Sequence, residues 1–314
     1  MRKHRMIVLG AGLLALSLFA AACGDSGGDD PSDGATEPAG AEPKGELVVG
    51  VSGPFAENQL VAEMYAQVLE ADGYTVAREL DIADRAVGNE ALAAGEIDLK
   101  PEYTGPELLY YDAKAPTNGD DPQVIADALA AAVEPEGLVT YAISPANSTN
   151  VFVVTPETAD ANSLTDMSSL ADVAGDFTLG APPDCPKIPF CIPGLKETYG
   201  VEFAEYKPLD FGGPKTVAAI DSGAVDVGEL FSLDPTIVDR GYVVLTDDQN
   251  LQAYGNLIPV VREEVASDEL GALLDEVTTT LSDENMLEMI GQVVNDKRDV
   301  ADVASEYLTG AGIL

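Results

Sequence analysis

The sequence predicts an α/β protein of two lobes with similar build, each a mixed sheet flanked by helices, with a ligand cleft between them. Three observations predict this. Short β-rich runs alternate with helical stretches from residue 45 onward, the pattern of a sheet covered by helices. The stretch ALAAGEIDLKPEY (91–103) can be laid on AIDSGAVDVGELF (219–231): each has a glycine after a helix, one spacer, a β-branched residue, Asp and an aliphatic residue, and ends on an aromatic. A G-x-[IV]-D pattern also recurs by chance in α/β chains, so the alignment leaves both readings open. Finally, Gly53-Pro54, Gly105-Pro106 and Gly213-Pro214 each stand between a strand-like and a helix-like segment. Proline suits the first turn of a helix, and free N–H groups at a helix start attract anions.

The elements follow in order. Residues 1–23 carry Arg2, Lys3 and Arg5, an apolar run from Met6 to Leu18, then Ala20-Ala21-Ala22-Cys23. The run is too short to span a bilayer comfortably and reads as an export signal. A small-residue run ending on Cys resembles a bacterial lipoprotein signal, with lipid placed on Cys23; an ordinary secretory signal with an incidental Cys is the alternative. Residues 24–44 are Gly, Pro, Asp and Ser with almost no apolar content, which predicts a flexible tether. GELVVGV (45–51) predicts a buried strand, and residues 55–74 a helix with Leu60, Val61, Met64, Tyr65, Val68 and Leu69 on one stripe, closed by Gly73. TVARELDI (75–82), IDL (97–99), LVTYAI (138–143), NVFVVT (150–155) and FTLGA (177–181) predict strands. Gly88 to Ala94 and Pro122 to Val133 predict helices, SLTDMSSLADVAG (163–175) a capped helix, and residues 267–314 a mostly helical end.

Composition removes whole classes of function. There are 16 basic against 55 acidic residues, a net charge of −39, which argues against nucleic acid or an anionic membrane as a partner through a basic face. The only histidine is His4, inside the signal. Ser-His-Asp and Cys-His catalysis and His-ligated metal sites are therefore not expected. No G-x-S-x-G, P-loop or metal-ligand cluster is present, so no cofactor, no metal and no enzyme activity is expected. A carboxylate pair acting on a glycoside, or a sensory lipoprotein with no transport role, are the rival readings. Cys185 and Cys191, in DCPKIPFC, predict a small disulfide loop outside the cytoplasm, with a free redox pair as the alternative.

Tyr103 falls where a short strand stops and a Gly-Pro turn opens a helix, in GEIDLKPEYTGP. Such junctions are where α/β proteins keep ligands. Ring faces attract cations, and quaternary ammonium suits them because it cannot donate hydrogen bonds.

FAENQLVAEMYAQVLEADGY, ALAAGEIDLKPEYTG, PGLKETYGVEF, GGPKTVAAIDSGAVDVGELFSLD and LIPVVREE together resemble the solute-binding lipoproteins of glycine betaine/choline/carnitine ABC transporters. The resemblance implies a type II periplasmic-binding-protein fold with lobe I in residues 45–146 plus 256–314 and lobe II in residues 147–255. It implies a monomer on the outer face of the cytoplasmic membrane that delivers a quaternary-ammonium solute to permease subunits. It also implies an aromatic cage containing Tyr103, Phe231 and Tyr254, with Asn150 at a fourth position where the family usually has Tyr. Phe55 and Asn58 fall in the stretch that often reads Ser-Lys-Asn-Phe-Thr-Glu-Gln, and Thr104 follows the cage tyrosine as a ligand contact or helix cap. The chain departs from the family where carboxylate is held. Pro106 replaces a threonine, the lysine near Gly53 is gone, and Ile188, beside Lys187, stands where an arginine is usual. These departures weigh against glycine betaine and toward a choline-like cation or another solute.

Overall fold

The structure is a computed structural model that describes residues 44–53, 55–119 and 121–314. The expected signal with its Cys23, the tether up to residue 43, and Pro54 lie outside the described residues.

The strands, in chain order, are β1 (Glu46–Gly50), β2 (Thr75–Glu79), β3 (Leu99–Tyr103), β4 (Leu138–Thr140), β5 (Asn150–Val154), β6 (Thr178–Ala181), β7 (Glu205–Pro208), β8 (Val227–Phe231), β9 (Val243–Leu245) and β10 (Leu257–Arg262). They form two five-stranded sheets, ordered β2-β1-β3-β10-β4 and β7-β6-β8-β5-β9. Each has three parallel strands, then an antiparallel strand, then a short edge strand. The antiparallel strand is in each case the first one laid down after the chain crosses over: β5 on entering the second sheet, β10 on returning to the first.

The two stretches aligned in the sequence do the same work in the two sheets. Gly95 and Gly223 both take the left-handed conformation after a helix, at φ 72° and 67°. Asp98 N–H then donates to Val48 O (2.8 Å) and Val48 N–H donates to Asp98 Oδ2 (2.9 Å). In the second sheet Asp226 N–H donates to Thr178 O (3.0 Å) and Thr178 N–H to Asp226 Oδ2 (2.7 Å). Each aspartate thus clasps the first parallel strand just where the third one begins. Asp98 is further held by Arg262 Nη1 at 3.0 Å, tying in β10.

Helices cover both faces of the first sheet. On one lie α1 (Ala56–Ala71) and the three helices after β10, Asp268–Thr278, Asp283–Val294 and Val300–Ala311. Leu60, Met64, Tyr65 and Leu69 of α1 pack with Leu270, Leu274, Met286 and Leu308, and Tyr65 shares a hydrogen bond of 2.7 Å with Thr278 Oγ1. Burying such a side chain contributes about 1.5–3 kcal/mol each. The other face carries α2 (Arg85–Ala94), α3 (Thr104–Tyr111) and α4 (Pro122–Val133), whose Leu92, Leu108, Ile125 and Leu129 pack on Ile258 and Val260. Separate cores around Phe152, Leu179 and Val227, and around Ile220 and Leu230, fill the two faces of the second sheet.

Two crossing segments, between β4 and β5 and between β9 and β10, join the sheets and are bonded to each other. Asn147 and Asn256 form a bridge, Ser148 N–H donates to Gly255 O (3.0 Å), and Gly255 N–H donates to Asn147 Oδ1 (2.7 Å). A Cβ on Gly255 would fall 1.6 Å from Ser148 O, so only glycine fits.

Two elements differ from expectation. The strand read over 138–143 ends at Thr140, because Ala142 N–H turns away to the carboxylate of Asp275 (2.7 Å). The capped helix read over 163–175 does begin with a capping box, Asp166 and Ser169, but runs only from Met167 to Leu170 before a 3₁₀ turn at Ala174–Asp176.

Asp98→Ala and Asp226→Ala should each lose about 1–3 kcal/mol of stability in urea denaturation, the cost of leaving a strand N–H unpaired. A loss below about 0.5 kcal/mol at both sites would show that the clasps do not hold the sheets.

Candidate functional site

Phe55, on the connection from β1 to α1, and Phe231, in the second sheet, meet. Phe55 is the extended residue just before α1, 38% exposed, and Phe231 is the last residue of β8. Their ring centroids lie 5.9 Å apart at 64°, an edge-to-face pair. Tyr103 ends β3 and is almost wholly buried, its hydroxyl on the side of Asn58 and Glu57.

Asn58 is fully buried and works on the backbone. Its Oδ1 accepts from Ser52 N–H (2.8 Å) and its Nδ2 donates to Pro101 O (3.2 Å), pinning the end of β1 to β3. Glu57, one residue earlier, has an unusual setting. Ser148 Oγ donates to its Oε2 (2.9 Å), while Oε1 is buried with no partner, as is Ser52 Oγ. Burial, with a smaller push from the charge of Asp283, raises the Glu57 carboxyl to about 7 despite the hydrogen bond from Ser148 and the polar Tyr103 hydroxyl on its side. Burial and the negative charges of Glu57 and Glu102 push the Tyr103 hydroxyl well above its ordinary value.

Behind Tyr103 lies a buried charge network that the sequence reading missed. Lys100 Nζ is 2.5 Å from Glu102 Oε1, Arg85 Nε is 3.1 Å from Glu102 Oε2 and 3.3 Å from Glu107 Oε2, and Asn89 Nδ2 donates to Glu107 at 3.2 Å. Burial alone would raise Glu102, but Arg85 and Lys100 overcome it and hold the carboxyl below its usual range. Glu102 Oε2 also accepts from Tyr103 N–H (3.0 Å), so the network fixes the strand end that carries Tyr103. Burial and the Glu102 charge push Glu107 up to about 7. The signal available in the sequence was opposite charge at alternate positions of a strand, Lys100 and Glu102 in LKPEY, which places both on one face. For Glu57 it was an acid in the first helical turn, two residues after an aromatic.

The Gly-Pro helix starts are not open anion sites where they can be described. At Gly213-Pro214 the carboxylate of Asp210 already accepts from Lys215 N–H (2.9 Å), Thr216 N–H (2.9 Å) and Thr216 Oγ1 (2.7 Å). At Gly105-Pro106 the N–H of Thr104 goes to Asn256 O (3.0 Å) and that of Gly105 to Tyr254 O (2.8 Å). Thr104 is fully buried; it is the first residue of α3, with Tyr103 as the cap position, and its Oγ1 donates to Tyr254 O at 3.2 Å.

The Tyr254 ring stands apart from Tyr103. The Tyr254 ring packs with the core around Leu108 on the α2–α4 face, and its hydroxyl donates to Gly119 O (2.7 Å). Tyr103 belongs to the core on the opposite face. Tyr254 and Asn150 line a cavity of about 380 Å³ shared with Asn118, Asn147, Asn250 and Gln252. Asn150 is also directly opposite Phe231 in the β5–β8 register, so it adjoins both groups.

Cys185 and Cys191 are disulfide-bonded and buried, and Ile188 between them packs on the second lobe's core. Glu229 Oε2 lies 3.1 Å from Cys191 Sγ. A disulfide sulfur has no proton to give, so the contact is attractive only when Glu229 is protonated. Burial, with the charge of Asp184, pushes that carboxyl up to about 8.

Residues 45–310 match the family model described as the substrate binding domain of ABC-type glycine betaine transport system. The glycine betaine-binding protein YehZ of Escherichia coli strain K12 is 25% identical over 272 residues, covering 82% of this chain and 88% of that protein. A solved glycine betaine/carnitine/choline ABC transporter structure aligns with a TM-score of 0.70 at 22% identity, over 84% of this chain and 98% of that one. Lactococcal OpuAC, closed on glycine betaine, aligns with a TM-score of 0.59 at 14% identity, over 84% of this chain and 95% of that one. These two likenesses are of fold: two mixed sheets flanked by helices, the type II periplasmic-binding-protein arrangement.

Glu57, Glu107 and Glu229 all sit above their ordinary value of 4.5, at about 7, 7 and 8. Their contribution to stability is whole below about 4.5, where folded and unfolded chains are both protonated, and is lost as pH rises through 7 to 8. Glu229→Gln should therefore melt higher than the wild type at pH 8, by more than about 1 kcal/mol, and match it near pH 4.5. Equal melting at both pH values would mean that Glu229 ionises freely in the folded protein.

Proposed function

The chain belongs to the family of substrate-binding domains of ABC-type glycine betaine transport systems, and from that premise we propose that it captures a small quaternary-ammonium solute between its two sheets and delivers it to membrane permease subunits. Choline, glycine betaine and carnitine are the class of solute. The observation that carries this reading is the Phe55–Phe231 pair, one ring on the connection from β1 to α1 and one in the second sheet, with the buried carboxylate of Glu57 two residues from Phe55 and no cation beside it among the described residues. Two rings in edge-to-face contact, with an uncompensated acid close by in the chain, form a setting that favours a cation no hydrogen bond can hold.

The reading is of a receptor without turnover, since the only histidine is His4. Residues 45–146 with 256–314 act as one lobe and 147–255 as the other, hinged on the two crossing segments. The cage is Phe55, Phe231 and Tyr103, with Asn150 and Tyr254 entering from the neighbouring cavity and Asn58 and Thr104 holding its frame. The protein works as a monomer tethered outside the cytoplasmic membrane by lipid on Cys23. Among the described residues no helix is long and apolar enough to cross a membrane.

Thermal melting against choline, glycine betaine and carnitine tests the reading, with sugars and amino acids as controls. A bound solute at 100 times its dissociation constant adds about 2.7 kcal/mol and raises the midpoint by several degrees; no shift with any quaternary amine would sink the proposal. Phe55→Ala should weaken binding about tenfold while leaving the fold intact, because a ring over a cation is worth on the order of 1–2 kcal/mol. An unchanged dissociation constant would remove Phe55 from the site.

A further inference from the structure

We propose that Glu57 makes this a site where a proton and a cationic ligand compete, and that it selects a hydroxylated quaternary cation of the choline kind over a carboxylate-bearing zwitterion. The inference rests on the reading of the cleft given above and names the solute within it.

Four observations carry it. Glu57 is only 8% exposed, yet its Oε1 has no hydrogen-bond partner. Ser52 Oγ, at the end of the same loop, is likewise buried and unpartnered. Buried polar atoms are seldom left so, and these two, one on the segment leading into α1 and one in its first turn, mark a place where a ligand group completes the set. Next, no Lys or Arg lies within ion-pairing distance of Glu57 among the described residues, in contrast to Glu102, which has two cations. The groups that face Glu57 are Ser148 from the crossing segment, Tyr103 from the end of β3 and Asp283 from the start of the second helix after β10; one is neutral, one is a neutral phenol, and one adds negative charge. Finally, Glu57 is two residues from the ring of Phe55, which meets Phe231.

The chemistry follows. Without a ligand the carboxyl keeps its proton, since a buried anion beside Asp283 has nothing to balance it. A quaternary ammonium on the rings supplies the missing charge but cannot donate a hydrogen bond. A hydroxyl on the same ligand can donate to Oε1. The cation thus takes over the balancing role of the proton, which leaves to solvent. A ligand carboxylate brought to the same place would face a second carboxylate, so a zwitterion is accepted only while Glu57 stays protonated.

The test is isothermal titration of the purified protein with choline and with glycine betaine, at pH 6 and pH 8, in two buffers of different ionisation heat. With the Glu57 carboxyl titrating at about 7, choline affinity should rise about tenfold from pH 6 to pH 8, with close to one proton released per choline at pH 6. Glycine betaine affinity should fall about tenfold over the same interval, as the protonated form of Glu57 is lost. In Glu57→Gln the pH dependence and the proton release should vanish, and preference should move toward glycine betaine; melting curves check that the variant is folded, and the wild-type proton count stands without it. Choline binding that is flat in pH with no proton released would overturn the inference and leave the quaternary-ammonium reading intact. Failure of both solutes to bind the wild type at either pH would overturn both.

Discussion

Both sheets depend on one side-chain-to-backbone clasp. In each, an aspartate that follows a left-handed glycine exchanges two hydrogen bonds with the first parallel strand, Asp98 with Val48 and Asp226 with Thr178. The glycine lets the chain leave a helix and turn without strain. The aspartate then supplies an acceptor where the backbone ladder is thinnest: β1 and β3 share a single register pair, Val49 with Leu99. Everything at the cleft hangs from this point. Tyr103 and Phe231 each lie five residues beyond their aspartate, at the ends of the strands so fixed.

Buried charge is handled in two opposite ways within a few residues. Glu102 is wrapped by Lys100, Arg85 and the Tyr103 N–H, so it stays ionised in spite of complete burial. That compensation gives rigidity, because removing one member would strand the rest at a cost of about 3–5 kcal/mol. Glu57 has no such wrapping and drifts toward its neutral form. The first acid serves as a fixed brace and the second as a responsive one. A binding protein uses both: a frame that does not move, and a group whose charge depends on what arrives.

Much of the fold was legible in the sequence because it rests on short-range rules. The strand–helix alternation, the end of α2 at Gly95 and the pairing of GEIDL with GAVDV in the two sheets all follow from propensity, capping and spacing. LVTYAI ran three residues too far because Asp275, distant in sequence, captures Ala142 N–H. The Gly-Pro starts read as open because the sequence cannot show that Asp210 folds back onto the helix it precedes. The site was legible only as separate candidates. Phe231 read as an aromatic just past a short strand and Phe55 as part of the stretch after the first strand, but that they meet is a product of the crossover between sheets. Tyr254 read as a companion of Tyr103, yet its ring lies on the other face of the first sheet. The Lys100–Glu102 pair went unread, because alternation cannot distinguish an exposed face from one covered by helices bearing matching charges.

Gly255 has a mechanical meaning. With Ser148 O pressed where a Cβ would be and Asn147 bonded to the Gly255 amide, the two crossing segments form a single double-stranded strap rather than two loose cords. A pair of independent tethers would let the lobes shear and twist as well as bend. A strap resists both and leaves one soft direction, flexing about its width. Under the proposed closing of the lobes, such a strap would bring the two rings and the carboxylate to the same registration each time, with little of the orientational search that floppy linkage would demand.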